Sequence, residues 1–141
     1  MSYKLLIKKI LLIILLVFVC LLLISFRFLL IAKSEWRISQ DFLNKKNVSF
    51  AIPHLDFAIR NYFLFSPYAK RATIALNQIA ENFEKDKNLS EAFNTYQTLL
   101  SALCSVRHPF FSPPISINSI ESKMDQLKNK IISESQPDKN K

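Results

Sequence analysis

The stretch "LSEAFNTYQTL", residues 89–99, sets how the rest of the chain is read. Leu89, Ala92, Phe93, Tyr96 and Leu99 recur at steps of three and four, the spacing of one helical face. Leu100 and Leu103 extend the stripe and predict a helix to about Val106. Just upstream, "DKNLSEAF" supplies the start: Asn88 can cap the first turn, and Glu91 lies three residues on, as in a capping box. Before that turn, Ala72, Leu76, Ile79, Ala80 and Phe83 form a second stripe over roughly 67–85. Ser66 stands at its N-cap and Pro67 at its first position, where a missing N–H costs nothing. Two striped helices joined by a short polar turn make an antiparallel hairpin.

Working outward, "SFAIPHLDFAIRNYFLF" (49–65) carries Leu55, Ala58, Ile59, Tyr62 and Phe65 at helical spacing. Pro53 implies a start just before it, since first-turn amides lack partners anyway. On the other side, Ser112 and the following Pro-Pro are expected to open a helix through Ile117, Ile120, Met124, Leu127 and Ile131. The expected fold is all-α: a small antiparallel helical bundle over 34–133 and a polar, disordered tail over 134–141. The chain has no glycine, so Asn-Gly hairpins, nucleophile elbows of the G-x-S-x-G kind and glycine-rich phosphate loops are excluded.

The N-terminal third is of another kind. From Ile10 to Phe26 run 17 residues without a charge; past Arg27 the apolar run resumes to Ala32. At about 1.5 Å per residue these 23 positions make roughly 34 Å of helix, enough for a bilayer core of ~30 Å. Arg27 falls near one end, where its stem can snorkel to the headgroups. The run is too long for a signal peptide and no A-x-A-like site follows it. Bulky residues before Cys20 argue against a lipidation site. Residues 1–33 are therefore expected to be an uncleaved single-span anchor. A short basic start (Lys4, Lys8, Lys9) favours a cytoplasmic N-terminus with the bundle outside, as in a bacterial inner membrane. The helix is expected to continue to about Lys46, with Trp36 near the interface.

Net charge is +8, but the anchor holds four of the basic residues, and from Lys33 onward 15 basic residues face 11 acidic ones. They are dispersed, which argues against nucleic-acid binding. Chemistry is equally thin. Cys104, Arg107 and His108 lie together in "SALCSVRHPFFSPPIS" (101–116), yet Pro109 disfavours helical geometry at His108 and so breaks the shared face a thiolate–imidazole pair needs. Cys104 reads as a small core residue one turn after Leu100, with Arg107 and His108 near the helix's last carbonyls. His54 and Asp56 are two apart and on different faces, and no His/Cys/Asp/Glu set has metal-ligand spacing. No catalytic residue, cofactor, metal or small-molecule substrate is expected.

An internal repeat completes the reading. Leu55, Ala58, Tyr62 and Phe65 match Leu89, Ala92, Tyr96 and Leu99 at a constant offset of 34. Residues 73–106 resemble a tetratricopeptide repeat: Leu76, Ala80 and Phe83 in the first helix, Ala92, Tyr96 and Leu99 in the second. Lys87 replaces the family's turn glycine and Cys104 its closing proline. The first unit is poorer, with Lys46 and Ser49 where small and aromatic residues belong. Residues 101–113 also resemble small membrane-anchored bacterial proteins with an Arg-x-x-aromatic-x-Pro stretch, a likeness that implies no activity. The repeat resemblance implies a membrane-tethered, non-catalytic scaffold that binds another protein or a second copy of itself. The binding face would include Ile74, Asn77, Glu81, Glu84 and Lys85, with Phe110 and Phe111 as further contacts. Two alternatives are a surface element packing on anionic lipid and an accessory subunit bound through its span.

Overall fold

The computed structural model describes residues 3–62, 66–106 and 112–135, and its helices follow the sequence order α1 (Tyr3–Asn44), α2 (Val48–Arg60), α3 (Pro67–Lys85), α4 (Leu89–Ser105) and α5 (Ile117–Ser135). The described residues contain no strand. At 42 residues α1 is about 63 Å long. It is one helix long and apolar enough near the N-terminus to cross a membrane. From Ile7 to Phe28 every residue except half-buried Ser25 is exposed, whereas Ala32 and Ser39 are wholly buried. Packing against the bundle thus begins where the apolar run ends.

Beyond that point the helices form two hairpins and a single helix. Side-chain contacts fix their directions. Phe42 stacks on Phe50, and Glu35 meets His54, so α1 and α2 run antiparallel. Near the C-terminal ends of α2 and α4, Arg60 Nη2 donates to Ser101 Oγ at 3.0 Å, which sets these two helices parallel. Lys123 of α5 reaches Glu81 of α3 and Tyr96 of α4. The core between them holds Leu55, Ala58, Ile59, Leu76, Ala80, Ala92, Tyr96, Leu99, Leu103, Ile120 and Leu127. Each fully buried leucine or isoleucine stabilises the fold by roughly 1.5–3 kcal/mol relative to its exposed state.

The two hairpins repeat, at a spacing other than 34. Lys46 and Lys87 are the two positive-φ residues among those described, at 57° and 58°, and they stand 41 positions apart. Each precedes an N-cap asparagine, Asn47 or Asn88. At the same offset Ala51 matches Ala92, Leu55 matches Tyr96, Ala58 matches Leu99 and Ser39 matches Ala80, every one of them buried. Half-buried Phe42 matches half-buried Phe83. Offsets of 34 and 41 differ by seven residues, nearly two helical turns, which returns a stripe to the same face. Periodicity alone therefore fits both, and the turns decide between them. In the corrected register the first unit has its small residue, Ser39, and its aromatic residue, Phe42, where the shorter offset pointed to Lys46 and Ser49.

Three boundaries also shift. The second helix starts at Val48, so Pro53 is its sixth residue and not its opening; Pro53 is solvent-exposed, where the Ser49 carbonyl that loses its donor can take water. The fifth helix starts at Ile117, because Pro113 and Pro114 hold the residues before them out of helical geometry. Its first turn is closed by the Ser119 and Ile120 N–H groups donating to the Ser116 carbonyl at 3.1 and 3.3 Å. The first helix ends at Asn44, two residues before Lys46.

Candidate functional site

The expected binding face divides into three parts. Ile74, 44% exposed, joins Trp36, Gln40 and Leu43 of α1 and Arg71, Ala75, Gln78, Ile79 and Asn82 of α3 around a groove of about 380 Å³. It exists because α1 and α3, the first helices of the two hairpins, lie side by side. Trp36 is half-buried and packs against the core. Its role in the groove was hidden by the missing register: Trp36 and Leu43 fall on the groove only once Ser39 is recognised as the counterpart of Ala80.

Asn77 and Glu81 are engaged within the protein. Asn77 Nδ2 donates to Glu81 Oε1 at 3.0 Å, and Lys123 Nζ donates to the same oxygen at 2.7 Å. Lys123 also donates to the Tyr96 hydroxyl at 3.0 Å and sits 5.3 Å from the centre of its ring. The Lys123 hydrogen bond holds the Glu81 carboxyl below its usual range. Burial pushes the Tyr96 hydroxyl up. Burial would pull Lys123 down, but its bonds to Glu81 and Tyr96 outweigh that and raise it. These charges brace α5 against the second hairpin. Glu84 and Lys85 line a shallow recess with Lys130 and with Glu81 itself. Phe110 and Phe111 lie outside the described residues, as do Arg107 and His108.

Cys104 is exposed, which corrects its reading as a core residue. The buried stripe of α4 passes through Leu99, Ala102, Leu103 and Val106, and Cys104 is turned away from it, on the side of exposed Ser101. His54 Nδ1 lies 2.6 Å from Glu35 Oε2, and its ring stacks on Phe42 at 5.5 Å. Asp56 instead accepts both 2.9 Å bonds from Arg60 Nε. His54 and Asp56 thus have separate partners, and the histidine joins α1 to α2. Among the described residues, no three His, Cys, Asp or Glu side chains converge as a metal site would require.

No family model, curated protein or solved structure matches this chain.

Proposed function

We propose that this chain is a single-pass, membrane-anchored scaffold of the helical-hairpin-repeat kind, whose α1–α3 groove holds a short segment of another protein. The observation that carries this reading is the groove itself. Its apolar floor of Trp36, Leu43, Ile74 and Ile79 is flanked by Gln40, Gln78 and Asn82. Amide side chains offer both donors and acceptors, which suits the backbone of an extended peptide. Equivalent small residues at matched, fully buried positions, Ser39 with Ala80 and Ala51 with Ala92, support the repeat reading. Exposure of the apolar surface from Ile7 to Phe28 supports the anchor.

The test places a photo-crosslinking phenylalanine analogue at Gln78 in the full-length chain, in native membranes, with Asp86 as the solvent-facing control. A discrete adduct at position 78, absent at 86 and lost with Ile74→Asp, is expected. The same adducts at both positions, or none at 78, would sink the groove reading. An adduct of twice the chain's mass identifies the partner as a second copy.

A further inference from the structure

We infer that the end of the bundle nearest the apolar run is a docking surface for anionic phospholipid headgroups; this rests on α1 being a membrane span. The helix directions decide which residues lie there. The helix α3 begins at this end, α2 and α4 finish at it, and α1 enters it at about Leu29, where burial begins. The Arg60–Ser101 bond places the ends of α2 and α4 at one level.

Charge is sorted along the bundle in the same direction. The described residues of the near end (33–37, 56–62, 66–71 and 101–106) include Lys33, Arg37, Arg60, Lys70 and Arg71 against Glu35 and Asp56. Both acids are already paired, Glu35 with His54 and Asp56 with Arg60. Lys33, Arg37, Lys70 and Arg71 are exposed. The rest of the described bundle carries seven basic and eight acidic residues, so the positive excess belongs to the near end alone.

This placement matches the field of an anionic leaflet. Attraction between basic residues and anionic lipid is worth about 1 kcal/mol per residue at the surface and fades within a Debye length of about 8–10 Å. The near end lies within that distance, because α1 is unbroken from the apolar run into the bundle. The far turns, with Lys46 and Lys87, lie beyond it: the twelve residues from Lys33 to Asn44 alone span about 18 Å. An anchor needs only the span, so a basic patch on α1 and α3 at its exit is an addition that holds the bundle upright on the lipid. The connecting segments 63–65 and 107–111 lie outside the described residues and carry no part of this.

Trp36 is the chain's single tryptophan and a natural energy donor. The full-length protein is reconstituted in vesicles of mixed phosphatidylcholine and phosphatidylglycerol, with a pyrene-labelled acyl chain on one lipid or the other. Transfer from Trp36 should be about twofold greater to labelled phosphatidylglycerol. The excess should vanish in Lys70→Gln/Arg71→Gln and persist in Lys85→Gln/Lys87→Gln. Equal transfer to both lipids, or an excess that survives the α3 substitutions, overturns the proposal. Extraction of the wild-type chain by alkaline carbonate would overturn the span itself. That failure is separable, because a chain that resists carbonate yet shows equal transfer keeps its anchor and loses only the docking surface.

Discussion

The two hairpins share a plan of burial but are held together by different chemistry. In the first, Phe42 lies between Phe50 and His54, stacked at 5.6 and 5.5 Å, and Glu35 fastens the imidazole. In the second, Tyr96 stands where the first has Leu55, and its hydroxyl receives Lys123 from α5. The second hairpin is therefore covered on its outer side, and the first leaves Phe50 and Phe57 at 59% and 55% exposure. Repetition of a fold unit fixes which positions must be small and which buried. It leaves the polar contacts free to follow whatever each unit meets: a continuing apolar helix in one case, a closing helix in the other.

The severest way to break this comparison is to empty both cores. Tyr96→Ala removes a wholly buried ring and the acceptor of Lys123, and should cost about 3–5 kcal/mol; Leu55→Ala at the equivalent site should cost about 2–5 kcal/mol. Urea unfolding in detergent, followed by circular dichroism, measures both. If Leu55→Ala proved nearly neutral, the first hairpin would not be an equal member of the core.

A smaller effect tests the register itself. Ser39→Leu and Ala80→Leu put a large side chain at matched, fully buried positions, and each should cost about 1–3 kcal/mol. Ser49→Leu alters an exposed position that an offset of 34 would place in the core, and should change stability by less than about 0.5 kcal/mol. The reverse pattern would restore the shorter repeat.

These tests also mark how far the sequence could be read. The bounds of α3, the Asn88 cap, which accepts from the Glu91 N–H at 3.5 Å, and the stripes of α4 and α5 were legible. Local chemistry and a 3.6-residue period are enough for those. The repeat offset was not, because a seven-residue shift leaves a stripe on the same face and no glycine marked the turns. Lys46 and Lys87 occupy the left-handed position without the residue type that would announce it. Nor could the sequence show that Glu81, on a polar face, is met by Lys123 from 42 positions away. Such pairing depends on where α5 docks, and no periodicity contains that.

The left-handed lysines supply the next prediction. A non-glycine residue there costs about 1–2 kcal/mol, while glycine adds freedom to the unfolded chain worth roughly 0.4–1 kcal/mol. Lys46→Gly and Lys87→Gly should therefore each stabilise by about 0.5–1 kcal/mol, read as a raised urea midpoint. Stabilisation at one turn and loss at the other would mean the turns are not equivalent.

The finest distinction concerns the brace that only the second hairpin has. The carboxyl of Glu81 is lowered on folding, so its contribution is full above the ordinary carboxylate range and is lost as pH falls through the folded value. For Lys123, raised on folding, the contribution is full below the ordinary lysine range and is lost as pH rises through its folded value. Together they brace α5 across neutral pH and release it at both extremes. Both side chains are more than a third exposed, or nearly so, and solvent screening keeps the pair weak. Glu81→Gln should thus lower stability by only about 0.2–1 kcal/mol at pH 7, and the gap from wild type should close as the buffer is acidified through and below the ordinary carboxylate range. A gap that stayed constant from neutral to acid would mean that Glu81 acts by shape and not by charge. The second hairpin would then differ from the first only in what covers it.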